Sequence, residues 1–298
     1  MDGGVHRRAS LSERSKMIHR KIHQFSNGVK VYDDHLIPVQ RERYKRLNVH
    51  EAEEEDIFIE LIQAIPAEGC FVNIGAAIGY YPILAKLLIP TLTIYAIEPL
   101  QRHRKFFYEN VILNGFSPAD FVIYKEGIAS SDGIAMFVDN NYGSKVILAN
   151  KQNDRRSSSI KSFLKTLLAQ SGITKRGNAS KLVPIKTITL DSLMSIISRP
   201  VDLVQMDVQG LEADVLRGAS DSLRTEKIRA FLIGTHGRKS HQKCADILEK
   251  YSYVIEFAED DPKEQPDGII VASKGMEMLK QRQKVTARAV KSSQCEPR

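Results

Sequence analysis

Residues 70–81 read CFVNIGAAIGYY. An apolar run of strand length, 70–74, breaks at once into a turn with glycines at 75 and 79. Residues 80–89 then place their apolar side chains at helical spacing. Pro82 falls in the first turn of that helix, where a missing N–H forfeits no helix hydrogen bond. Strand, glycine turn and helix form the opening unit of an α/β fold, and the flanking sequence repeats it. On the amino-terminal side, EAEEEDIFIELIQAI (51–65) puts Ile57, Leu61 and Ile65 on one helical face, with acidic residues where the helix dipole favours them. On the carboxyl-terminal side, LTIYAIEP (92–99) predicts a strand, 100–114 a helix, and 121–125 and 134–138 strands. Residues 182–190 (LVPIKTITL) resume regular structure and a helix follows near 191–197. VDLVQM (201–206) is apolar enough for a strand buried on both faces. A helix over 211–223, a strand over 228–234, a helix over 241–250 and strands near 253–257 and 268–272 complete the pattern. Such alternation predicts a mostly parallel sheet with helices on both faces.

In such sheets ligands bind beyond the carboxyl ends of the strands, at the switch in strand order. That rule singles out Asn73 to Gly79, Glu98, Glu126, Asp207 and His236. The turn NIGAAIG has Asn73 where dinucleotide-binding proteins place their first glycine, so only Gly75 and Gly79 remain to admit close backbone approach and positive φ. Glu98 follows Gly75 by 23 residues and ends the next strand, where a carboxylate can accept from both hydroxyls of a ribose. Together these residues point to a nucleoside-containing cofactor. The missing glycine, and a turn without a basic side chain, disfavour a pyrophosphate and favour S-adenosylmethionine over NAD.

FVNIGAAIGYY, IYAIEP, ENVILNG, GIASSDG, VDLVQMDVQGLEADVLRG and DGIIVAS together resemble the FkbM family of S-adenosylmethionine-dependent methyltransferases over about residues 50–273. The resemblance implies a class I methyltransferase fold: a Rossmann-like, mostly parallel seven-stranded sheet with helices on both faces and an antiparallel final strand. It also implies that Gly75 and Gly79 line the methionine and ribose portions of the cofactor and that Glu98 holds the ribose. Asn73, Ala77, Glu126 and Asp207 complete the expected cofactor set. The family usually carries Asp, Asn and Glu where this chain has Asn73, Ala77 and Gln209. NGVKVYDDHLIPVQRERYKRLNVHEAEEEDIF is similar to an amino-terminal extension of some members, so 27–66 is assigned to a methyltransferase domain spanning 27–273.

Methyl transfer to a hydroxyl needs a group that takes its proton. Asp207, Glu212 and His236 are the candidates; His236 is expected to be the base, with Asp207 orienting it or the acceptor. Glu212 fits equally a first-turn carboxylate held by the helix dipole. A divalent cation on these residues lacks supporting ligand spacing, and no metal is expected.

The chain has 298 residues, 42% hydrophobic and 27% charged, which excludes wholesale disorder and fibrous architectures. No apolar run approaches the roughly 20 residues that cross a bilayer. The amino terminus lacks an apolar signal region, so a cytoplasmic location is expected. Three dispersed cysteines, Cys70, Cys244 and Cys295, suit buried thiols better than a disulfide framework. The net charge of +7 conceals a segregation. Residues 1–50 hold 11 basic and 5 acidic side chains, 151–181 hold 8 and 1, and 274–298 hold 7 and 2, which leaves the remainder at −11. Residues 1–26 and 274–298 are therefore expected to be disordered basic tails, and 139–181 a basic insertion or lid over the site.

The expected partner is a small-molecule or glycan acceptor, O-methylated on a sugar, glycan or secondary-metabolite hydroxyl. The basic segments motivate a nucleic-acid methyltransferase as the alternative, and the substituted turn motivates a non-catalytic cofactor-binding scaffold. No spacing in the chain bears on its oligomeric state.

Overall fold

The computed structural model of the protein describes residues 20–139, 145–147, 181–275 and 278–279. A short antiparallel hairpin opens it, β1 (Ile22–Gln24) against β2 (Lys30–Tyr32). Ordered structure thus begins before residue 27: Phe25, 2% exposed, packs edge-on against Tyr44 and Tyr80, which draws residues 20–26 into the folded unit. Helices α1 (Pro38–Arg46) and α2 (Ala52–Gln63) follow.

The chain then alternates β3 (Cys70–Ile74), α3 (Tyr80–Leu88), β4 (Thr93–Ile97), α4 (Gln101–Leu113) and β5 (Val122–Tyr124). After an excursion through β6 (Gly127–Ile128), β7 (Gly133–Asp139), β8 (Lys145–Ile147) and β9 (Lys181–Ile188) come α5 (Leu190–Ile197) and β10 (Val201–Met206). Helices α6 (Glu212–Arg217) and α7 (Ser220–Arg224), β11 (Ile228–Thr235), α8 (Arg238–Lys250), β12 (Val254–Glu259) and β13 (Gly268–Ser273) end it.

Seven strands form one sheet in the order β12-β13-β11-β10-β3-β4-β5. β3, β4, β5, β10 and β11 run parallel, while β13 is antiparallel to both its neighbours, as a class I methyltransferase sheet requires. Strand alternation divides the core between the two faces. Phe71, Leu203 and Leu232 pack with α2, α3 and α4 residues such as Phe58, Ile83 and Phe107. Val72, Val204 and Phe231 pack on the other face with Leu193, Leu216 and Leu248. Cys70 and Cys244 are buried free thiols within this core.

Two features depart from the expected pattern. The helix foreseen over 211–223 is two helices, because Gly218 presses against the 129–130 backbone: a Cβ there would lie 2.4 Å from the Ala129 carbonyl oxygen. The Asp191 carboxylate then accepts from the N–H groups of Asp221 and Ser222 and caps the second piece. The excursion forms a separate four-stranded sheet, β6-β9-β7-β8, whose strand β8 lies within the segment foreseen as an insertion. The rest of that insertion, residues 1–19 and nearly all of the basic carboxyl-terminal tail lie outside the described residues. Among the described residues no helix is long and apolar enough to cross a membrane.

Candidate functional site

The carboxyl ends of β3, β4, β10 and β11 open into a cavity of about 440 Å³, within the size range of small-molecule sites. Its first wall is the turn after β3. The N–H groups of Gly75 and Ala76 both donate to the Ile97 carbonyl at the end of β4, at 3.0 Å. Gly75 has φ +90°, and a Cβ on it would lie 2.1 Å from the Asp207 carbonyl oxygen, so the turn and the end of β10 meet only through glycine. Ala77 also takes positive φ (46°), a conformation that asparagine tolerates better than alanine. Gly79 does not line the cavity; its positive φ and close contact with the Phe107 ring start α3 instead.

Glu98, 4% exposed, presents its carboxylate to this wall. Oε2 accepts from the Ala77 N–H at 2.9 Å and Oε1 from the Leu100 N–H at 2.7 Å. Each oxygen retains a lone pair, so the group is fixed in place yet able to accept again. Asn73 lies at the base of the cavity, 2% exposed. Its amide nitrogen donates to Gln205 Oε1, while its own Oδ1 has no partner among the described residues. An orphan acceptor, a fixed carboxylate with spare lone pairs and a turn that only glycine closes fit a nucleoside bearing an ammonium group. Glu126 stands apart: it does not line the cavity, and its carboxylate faces Lys186 at 3.7 Å.

Next to this wall, at the ends of β10 and β11, lies a charge cluster. His236 Nδ1 pairs with Glu212 Oε1 at 2.9 Å, and its Nε2 lies 3.1 Å from Asp267 Oδ1 and 3.6 Å from Asp207 Oδ1. Burial works against a charged ring here, but the Glu212 hydrogen bond and the nearby Asp207 and Asp267 outweigh it and raise the His236 pKa to about 9. The ring is therefore mostly protonated at pH 7. Burial, reinforced by Asp267 and Glu212 against the pull of His236, raises Asp207 to about 6. Burial and the charges of Asp207 and Asp267 push Glu51 to about 8 despite Arg43. Glu212 moves the other way. Its burial is outweighed by the bonds from His236, the Gly210 N–H at 2.8 Å and the Ser240 hydroxyl at 2.7 Å, which hold it below the usual range.

Oxygens of Glu51, Asp207 and Asp267 all lie within 4.8 Å of one another, a spacing that could also serve a hard cation. The imidazolium already supplies a positive charge beside two of these groups.

Asp207, His236, Glu98, Asn73, Gly75 and Ala77, foreseen from sequence, share this one cavity. Glu51, Asp267 and Arg43 were not foreseen. Asp267 could have been: it precedes β13, and an antiparallel strand begins where its parallel neighbours end, as the Thr235–Gly268 pairing shows. The loop leading to it is tied to α2, where Glu53 accepts from the Lys263 and Glu264 N–H groups and Gln265 Oε1 accepts from the Glu54 N–H. Ala135, Phe137, Ile185 and Thr187, from the small sheet, add a further wall.

The description "Methyltransferase FkbM domain" matches residues 73–255. A provisionally named methyltransferase of Jannaschia sp. (strain CCS1) is 38% identical over 85 residues, 28% of this chain and 29% of that protein. The AMB antimetabolite synthetase AmbE of Pseudomonas aeruginosa is 22% identical over 244 residues, 73% of this chain and 11% of that protein. The chain thus spans under a third of the length of either curated relative. Among solved structures, methyltransferase FkbM from Methylobacillus flagellatus KT aligns with a TM-score of 0.45 at 14% identity, over 69% of this chain and 44% of that one.

Proposed function

The chain belongs to the methyltransferase FkbM domain family, and from that premise we propose that it is an S-adenosylmethionine-dependent methyltransferase acting on a hydroxyl of a sugar, glycan or secondary metabolite. The observation that carries this reading is the meeting of two walls in one cavity: a backbone-fixed Glu98 beside a glycine turn, and a carboxylate–imidazolium cluster. When bound, S-adenosylmethionine would supply a sulfonium methyl that an aligned acceptor oxygen attacks in line, with S-adenosylhomocysteine as the leaving group. Glu98 would hold the ribose hydroxyls, Gly75 and Ala77 would let the backbone approach, and Asn73 Oδ1 would accept from the ammonium.

On the acceptor side, Asp207 is the group that takes the hydroxyl proton. At pH 7 the Asp207 carboxylate is mostly ionised, and with its pKa raised to about 6 it is a stronger base than an ordinary aspartate. His236 keeps its proton, with both ring nitrogens turned to carboxylates. Its part is to hold Asp207 ionised and oriented, which exchanges the roles expected from sequence. Glu212, anchored by Gly210 and Ser240, fixes the ring in turn.

The test is a screen of hydroxyl acceptors read as S-adenosylhomocysteine formation, with each methylated product located by mass spectrometry. Wild type turning over a sugar or polyol while Asp207→Asn does not is the expected result. Methyl found only on nitrogen, or turnover retained in Asp207→Asn, overturns the reading.

A further inference from the structure

Asn73 and Arg43 line the cavity, and each has a buried polar atom with no hydrogen-bond partner among the described residues, the two atoms being of opposite kinds. One is an acceptor, Asn73 Oδ1. Its orientation is set from below: Asn73 Nδ2 donates to Gln205 Oε1, and Gln205 Nε2 donates at 2.9 Å to Glu54 Oε1, on a side chain with no exposure at all. Burial raises the Glu54 pKa well above the usual range, and its Oε1 accepts from Gln205, so along this chain of bonds each amide turns its NH2 group toward Glu54. Asn73 must then present oxygen, not nitrogen, away from that chain.

The other atom is a donor, Nε of Arg43, buried on the cavity-lining helix α1. The guanidinium's described contacts are the hydroxyl of Tyr44 at 3.4 Å and the face of the same ring at 5.3 Å. Glu51 and Asp267 act on it through space, but no carboxylate of the described residues forms a close ion pair with it, although a part-buried guanidinium is costly to leave without one. Its planar fork matches a carboxylate bidentately.

A ligand that answers both atoms must donate to an uncharged oxygen and offer an anion to a guanidinium. A simple amine would leave Arg43 unanswered. A simple acid would leave Asn73 unanswered and would face Asp207 and Asp267. A zwitterionic α-amino-acid group meets both demands with its ammonium and its carboxylate.

We propose that Arg43 is the anchor for the α-carboxylate of the cofactor's methionine end, opposite the ammonium taken by Asn73. The inference rests on the cavity being an S-adenosylmethionine site. Arg43 lies outside residues 73–255, on an amino-terminal segment that contributes to the cavity lining. Glu54 is a positioning residue for the same subsite, acting through Gln205 on Asn73.

The experiment is calorimetric titration of the full chain with S-adenosylhomocysteine and with 5′-methylthioadenosine, which keeps the nucleoside and sulfur but lacks the amino-acid end. Arg43→Gln is expected to weaken S-adenosylhomocysteine at least tenfold and to leave 5′-methylthioadenosine within twofold. Arg43→Lys, which keeps the charge but not the fork, should recover part of the loss. Unchanged S-adenosylhomocysteine affinity in Arg43→Gln overturns the proposal, and so does a parallel loss of both ligands, which would mark a structural role.

Wild type alone provides a second measurement that does not depend on the variant folding. Decarboxylated S-adenosylmethionine should bind at least tenfold more weakly than S-adenosylmethionine, and equal affinity overturns the proposal. Absence of S-adenosylhomocysteine and 5′-methylthioadenosine binding to wild type instead removes the cofactor reading on which the inference stands.

Discussion

The two walls of the cavity are built differently. The Glu98 wall is local: residues 73–100 make their own turn, and backbone N–H groups of Ala77 and Leu100 hold the carboxylate. The Asp207 wall is assembled from four distant stretches, with Glu51 from before α2, Asp207 and Glu212 after β10, His236 after β11 and Asp267 before β13. Distant carboxylates brought together around one imidazole raise one another's pKa, and such perturbed groups suit proton transfer. Under the proposed function, the local wall binds the cofactor and the assembled wall handles the proton.

The largest effect belongs to the assembled wall. Asp207→Asn is expected to lower kcat by about 10²- to 10⁴-fold, the range for loss of a general base. S-adenosylmethionine affinity should change only a few-fold, as a single-turnover assay beside a binding titration would show. A comparable loss of cofactor binding would erase the distinction between the walls.

Next in size is the pH profile. Asp207 must be ionised and His236 protonated, so turnover should rise as pH climbs through about 6 and fall through about 9. His236→Gln removes the positive charge that favours the Asp207 anion, so the acid limb should move above 6. An acid limb that stays in place would show that the ring does not act through Asp207.

The same wall carries a stability signature. Glu51 has its folded pKa raised to about 8, above that of an unfolded glutamate, so the folded state holds the extra proton and loses stability as pH rises toward 8. Glu51→Gln should therefore stabilise the fold by at least about 1 kcal/mol at pH 8 relative to pH 5, measured by denaturant unfolding. A pH-independent difference would place the Glu51 effect in packing. Smallest of all, exhaustive chelation should alter turnover less than twofold, because His236 already supplies a positive charge beside Asp207 and Asp267.

The local wall was the more legible in the sequence, and for a physical reason. A strand running into Gly75 and a carboxylate ending the next strand are patterns of neighbouring residues, and the parallel alternation placed them at one edge. Asp207 and His236 were legible by the same rule. Glu51 and Arg43 were not, since they reach the cavity only through the packing of Phe25, Tyr44 and Tyr80, which fixes the amino-terminal segment against α3. Glu126 misled because it ends a strand as Glu98 does, yet β6 follows it immediately and turns its carboxylate toward Lys186 on the second sheet. That sheet was hidden because the partners β7 and β9 are separated by more than forty residues of chain.

Calorimetric titration of wild type and Glu98→Ala with S-adenosylmethionine and NAD reads out whether the local wall holds a nucleoside cofactor. The predicted result is that wild type binds S-adenosylmethionine and not NAD, and that Glu98→Ala weakens the binding at least tenfold, about 1.4 kcal/mol. Binding of NAD in its place, or S-adenosylmethionine affinity untouched by Glu98→Ala, would contradict it.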